Sequence, residues 1–242
     1  MIFVDYSSRF LINPADCPHH CSILFAKKGA AMPSIDIPVD TLILPGLNGS
    51  AEGHWQRHWT RDNPGSRVVE QSDWACPDRE AWLSELERQV AMTTGDLFLV
   101  GHSLGCVLAA HFAESRLASR IRGALLVAPC DLDTTETLHP CIIRFGAMPR
   151  RRLPFPSLVV GSLDDPYMPT DQLRRTARAW GSDLVDIGNA GHINIASGFG
   201  RWTAGYDFLE LLKLRSERDP FAANKDGRLF TAAVAGMGLA LH

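Results

Sequence analysis

The sequence predicts an α/β fold: about six mostly parallel strands in a doubly wound sheet, helices on both faces, and no large cap. Three observations predict it. Short Val-, Leu- and Ile-rich runs alternate with amphipathic stretches. The runs are continuously apolar rather than alternating, as expected of strands covered on both faces. Most of them end at Gly or Pro, the residues that break regular structure.

The first run is Val39–Leu44, closed by Pro45 and Gly46. Trp55 and Trp59, four apart, then mark one face of a helix. Arg67–Glu70 reads as a second, short strand. Asp78 is a candidate N-cap for a helix in which Trp82, Leu86 and Val90 recur every four residues. Leu97–Val100 is the third strand, followed by Leu104, Leu108 and Phe112 at helical spacing. Ala124–Ala128 and Ser157–Gly161 are the fourth and fifth strands. Thr170 is a second cap candidate, ahead of Leu173, Ala177 and Trp180. Leu184–Ile187 is the sixth strand, and Tyr206, Leu209 and Leu212 complete the alternation. Right-handed crossovers assemble such units into a parallel sheet. The predicted domain is 36–217, flanked by an unassigned N-terminal extension, 1–35, and an unassigned tail, 218–242.

The bulk properties narrow the function. A chain of 242 residues is long enough for one α/β domain. With 45% apolar and 21% charged residues, its composition is ordinary and argues against extensive disorder. The net charge of −3 gives no footprint for nucleic acid or an anionic membrane. Arg150-Arg151-Arg152 lies between prolines and reads as a solvated loop. No apolar stretch reaches the ~18 residues of a membrane span. Asp5 and Arg9 interrupt the early apolar run, so no secretory signal is expected. Cys17, Cys21, Cys76, Cys106, Cys130 and Cys141 then read as thiols in a reducing cytoplasm, with Cys76, Cys106 and Cys130 in or beside core-like segments. Cys17-Pro-His-His-Cys21 lacks a second ligand pair at zinc spacing, and no phosphate- or dinucleotide-binding glycine loop occurs. Neither a metal nor a cofactor is expected.

The chemistry concentrates at residues 99–112, L-V-G-H-S-L-G-C-V-L-A-A-H-F. Strand, G-H-S-L-G and helix in succession put Ser103 on a sharp turn, its oxygen exposed above the sheet edge. Side chains at Gly101 and Gly105 would collide with that turn. The helix N-terminus that follows offers N–H groups and partial positive charge to a developing oxyanion. A serine alcohol is a weak nucleophile and needs a base held by an acid. Both candidates follow at strand ends, where open α/β sheets bind ligands. Asp164 and Asp165 come after Ser157–Gly161, and His192 after Leu184–Ile187, in the order Ser, Asp, His. Asp165, ahead of Pro166, is the preferred acid, with Asp164 a loop residue or supporting acceptor. Neither His54, His58, His102 nor His111 follows a late strand. The oxyanion donors expected are the N–H of Leu104 and that of Leu47, in the loop L-P-G-L-N-G-S at 44–50. Gly46, Asn48 and His102 are the substrate-binding candidates: Gly46 lets the backbone approach, Asn48 reaches the pocket rim, and His102 adjoins the serine.

The whole pattern resembles the α/β-hydrolases, and within them the small serine hydrolases of the retinoblastoma-binding-protein-nine and YdeN family. The matching pieces are L-P-G-L-N-G-S with G-H-W-Q-R-H-W at 53–59, Q-S-D-W at 71–74 and P-D-R-E-A-W-L at 77–83. V-G-H-S-L-G-C, P-F-P-S-L-V-V-G-S-L-D-D-P-Y-M-P at 154–169 and A-G-H-I-N-I-A-S-G-F-G-R-W at 190–202 complete the set. The likeness spans roughly 40–213. It implies a serine hydrolase without a large cap, Ser103 as nucleophile, Asp165 as acid, His192 as base, and hydrolysis of carboxylic esters. One departure is clear. The pocket-protein motif L-x-C-x-E is missing, because Leu104-Gly-Cys106-Val ends in Leu108. The expected partner is a small ester-type substrate. A serine peptidase or acyltransferase on the same triad is the alternative, and a binding protein with vestigial catalysis is another. The short interval Pro129–Pro154 leaves room for a loop and a short helix, which favours small or short-acyl substrates.

Overall fold

The protein is described by a computed structural model covering residues 38–139 and 143–218. The extension 1–35, the tail from 219 onward, the Cys17–Cys21 motif and Cys141 lie outside the described residues.

Six strands form one sheet: β1 (Thr41–Leu44), β2 (Ser66–Val68), β3 (Leu97–His102), β4 (Ile121–Val127), β5 (Ser157–Gly161) and β6 (Asp183–Asp186). Their order is β2-β1-β3-β4-β5-β6, and all five pairings are parallel. The chain runs outward from β1 to β2, then returns to β3 on the other side of β1. The sheet therefore switches direction between β1 and β3, and in open α/β sheets that switch point is where ligands bind.

Strand residues serve both faces, which explains their unbroken apolarity. Leu42, Leu44, Leu99, Leu126 and Val159 pack with α2 (Arg79–Met92), α3 (Leu104–Phe112) and α5 (Thr170–Trp180). Ile43, Val100, Leu125, Val127, Leu158 and Val160 face α1 (Trp55–Asp62) and α6 (Ala204–Arg218). Trp55, Trp59, Trp82 and Trp180 are all essentially sealed from solvent. Asp78 caps α2, its carboxylate accepting from the N–H groups of Glu80 and Ala81 at 3.0 Å. Pro169, not Thr170, is the N-cap of α5; the Thr170 hydroxyl donates instead to the Leu163 carbonyl at 3.1 Å.

Three strands start earlier than expected, β2 by one residue at Ser66. β4 begins at Ile121, which pairs with Leu97 of β3; Gly123, which interrupts the apolar run, lies under Leu212 and Phe98, where a side chain would crowd both. β6 begins at Asp183, a buried acid that pairs with Arg215 of α6. Cys106 and Cys130 are buried, whereas Cys76 is exposed, against the expectation that it adjoins the core. Among the described residues, the connection from β4 to β5 carries one seven-residue helix, α4 (Leu132–Leu138). No helix among them is long and apolar enough to cross a membrane.

Candidate active site

Ser103 stands between β3 and α3 with φ 54° and ψ −120°, a conformation that side chains rarely adopt. Close backbone packing holds it there. A Cβ at Gly105 would lie 2.0 Å from the Leu44 carbonyl oxygen, so only glycine lets α3 start this close to β1. A Cβ at Gly46 would come within 2.7 Å of the Ser103 Cβ and 3.2 Å of the Leu104 nitrogen. The loop after β1 and the start of α3 thus meet at the serine. Leu47 is half-buried in that loop, and neither its N–H nor that of Leu104 donates to another described residue. Asn48 is exposed, in left-handed conformation (φ 63°), with its N–H on the Trp74 carbonyl at 2.8 Å.

Asp165 and His192 form a buried pair. The His192 Nδ1 lies 2.8 and 3.0 Å from the two carboxylate oxygens, and both side chains are under a tenth exposed. The Tyr167 N–H donates to the same carboxylate at 2.9 Å, and the Tyr167 ring packs 4.5 Å from the imidazole. With Nδ1–H committed to the carboxylate, Nε2 of a neutral imidazole is the free acceptor.

The histidine loop is held through four backbone groups of three consecutive residues, each by a different side chain. The Ala190 N–H donates to Ser162 Oγ at 2.9 Å, Gly191 N–H to Asp164 Oδ1 at 2.8 Å, and His192 N–H to Ser197 Oγ at 3.1 Å. The His192 carbonyl accepts from His102 Nε2 at 2.9 Å. Asp164 also accepts from Ser162 Oγ at 2.7 Å, and these bonds hold its carboxyl below the usual range. Asp164 is therefore a support of the loop, while Asp165 touches the imidazole. His102, the substrate-binding candidate beside the serine, is 5% exposed, and its Nε2 is engaged by the His192 carbonyl.

His54, His102 and His192 form a row, with ring centroids 4.8 and 4.9 Å apart. Burial, with the charge of the other histidines, pushes His102 well below the usual imidazole range. Burial, His192 and Arg57 bring His54 down to about 4. Burial also raises the Cys130 thiol to about 11, against hydrogen bonding from Thr135 and Ser103. Cys130 is thus a neutral neighbour of the serine. Among the described residues, no group of three His, Cys, Asp or Glu side chains is arranged to hold a metal ion.

Gln56 is an unforeseen member of the site. Its side chain is wholly buried at the switch point. Its Nε2 donates to the carbonyls of Leu44 (3.1 Å) and Val100 (3.3 Å), and its Oε1 accepts from Ser50 Oγ at 2.5 Å. Trp55 Nε1 donates to the Ile193 carbonyl at 2.9 Å. The signal for both lay in G-H-W-Q-R-H-W, which helical spacing alone renders as a tryptophan stripe.

Residues 41–211 match the serine hydrolase family. A YdeN-like hydrolase from Pectobacterium atrosepticum is 33% identical, with a TM-score of 0.64 over 72% of this chain and 92% of that one. The ydeN gene product of B. subtilis is 23% identical, with a TM-score of 0.60 over 72% of this chain and 98% of its own. A monoacylglycerol lipase from Paleococcus ferrophilus, 13% identical with a TM-score of 0.52 over 73% and 96%, shares the fold. The curated proteins contain no match. A match over more than half of the sequence, the parallel sheet and the one-third identity to a YdeN-like hydrolase lead to one conclusion: the chain belongs to the serine hydrolase family, YdeN-like, on an α/β-hydrolase fold.

Proposed function

We propose that the protein hydrolyses small carboxylic esters through a Ser103–His192–Asp165 triad and an acyl-enzyme. The observation that carries this reading is the buried Asp165–His192 pair, with Nδ1 2.8 Å from the carboxylate, at the same sheet edge as the strained Ser103. His192 takes the Ser103 proton as Oγ attacks the ester carbonyl, and returns it to the leaving alcohol. Asp165 fixes the tautomer and stabilises the imidazolium. The N–H groups of Leu47 and Leu104 receive the oxyanion, each contributing roughly 2.7–4 kcal/mol in comparable sites. Water, deprotonated by His192, then releases the acid. The short β4–β5 connection supports small or short-acyl substrates. A cytoplasmic setting belongs to the same proposal, supported by the buried thiols of Cys106 and Cys130.

The test is a fluorophosphonate probe, with the adduct located by peptide mass spectrometry. The expected result is modification at Ser103, lost in His192→Ala. A folded wild-type protein that takes up no label refutes the proposal and favours a binding role for the fold.

A further inference from the structure

A buried amide is costly unless each of its groups is satisfied, and an apolar side chain would fill the same space without that requirement. Gln56 nevertheless stands there, and its three bonds have a pattern. Leu44 is the last residue of β1 and opens the loop 44–50; Ser50 closes it; Val100 lies on β3, three residues before Ser103. One amide therefore ties both ends of the loop to the strand that carries the serine. Leu47 sits three residues from either anchor. The Arg57 Nε donates to the Ser50 carbonyl at 2.9 Å, so the next residue of α1 secures the same end of the loop.

We infer that Gln56 is a positioning residue that holds the Leu47 N–H at the distance from Ser103 and Leu104 that an oxyanion requires. This rests on the proposed ester hydrolysis and deepens it. The amide does not touch substrate; it acts through the loop. Oxyanion donors stabilise charge that develops only in the transition state, so their displacement lowers kcat and leaves KM nearly unchanged.

The test uses the full chain and its Gln56→Met and Gln56→Glu variants. Met keeps the length and loses all three bonds. Glu keeps the shape and puts an acceptor against two carbonyls. Initial rates on p-nitrophenyl acetate are divided by the active sites titrated with a fluorophosphonate, and Tm is measured alongside. The expected result is a fall in kcat per titrated site of about 10- to 100-fold. KM should stay within about twofold and the pH dependence of kcat/KM should keep its shape. Ser50→Ala, which removes one bond of the three, serves as the milder variant if the others do not fold, and should lower kcat per site severalfold with KM unchanged. An active wild type whose variants lose Tm and titratable sites but keep full kcat per site overturns the inference and leaves Gln56 a structural residue. A wild type that neither labels nor hydrolyses refutes the proposed function, and this inference with it.

Discussion

Two adjacent aspartates follow β5, and the geometry assigns them different work. Asp165 meets His192 Nδ1 at 2.8 and 3.0 Å and accepts from the Tyr167 N–H. In Asp165→Asn the amide can present its NH2 to Nδ1, which then becomes the acceptor and turns the imidazole to the wrong tautomer for proton abstraction. The expected loss in kcat is about 10⁴-fold, or about 5 kcal/mol of barrier at 1.36 kcal/mol per tenfold. Asp164→Ala instead removes one of the four backbone clamps on the histidine loop. Those from Ser162, Ser197 and His102 remain. A small displacement of the base should cost about tenfold or less. The assay is p-nitrophenyl acetate hydrolysis at matched concentrations of folded protein, checked by circular dichroism. A 10⁴-fold loss in Asp164→Ala with Asp165→Asn nearly unaffected would refute the assignment, and equal losses would refute the division of roles.

Three further outcomes are expected. His54 falls from the ordinary 6.5 to about 4, so between those values the unfolded chain binds a proton that the folded one refuses. Stability should then rise with pH through that window, with a penalty of about 3 kcal/mol fully felt below pH 4 and absent above 6.5. His54→Asn, which preserves the cap on Gln56 N–H, should flatten the slope of urea midpoint against pH, and an unchanged slope counts against a buried neutral His54. Gly105→Ala drives a methyl into the Leu44 carbonyl and should lower Tm by about 6–12 °C in a thermal melt; a shift under 2 °C would show that α3 can retreat. On p-nitrophenyl esters, acetate and butyrate should exceed palmitate in kcat/KM by about tenfold or more, and the reverse order would contradict the small-substrate reading.

The strands were legible because burial on both faces writes itself as unbroken apolar sequence. At two of the missed boundaries, tertiary contact replaces hydrophobicity. Gly123 lies within β4 with Leu212 packed where its side chain would be, and Asp183 opens β6 with Arg215 answering its charge. Neither partner is near in sequence. The candidate site divides in the same way. Ser103, the aspartate pair and His192 could be found from order and strand ends, because that chemistry fixes residue types. The residues that hold them could not. Gln56 looks like the solvent side of an amphipathic turn until Leu44 and Val100 fold over it. Nothing local to His102 shows that its Nε2 bonds the His192 carbonyl, ninety residues on. Cys76 is exposed although Trp74 and Pro77 lend its segment an apolar cast.

The β4–β5 connection has a consequence for divergence and for engineering. In the proposed reaction the serine follows β3, the acid lies past the end of β5, the base beyond β6, and the paired N–H groups in the loop after β1 and at the start of α3. Among its described residues, the segment after Val127 contributes none of these groups beyond the neutral Cys130 beside the serine. On the proposed reading, that stretch is open to shape substrate choice while the reactive groups sit elsewhere in the chain. A library randomised across α4 and the stretch that follows would search for new acyl or alcohol preferences while the reactive groups stay in register.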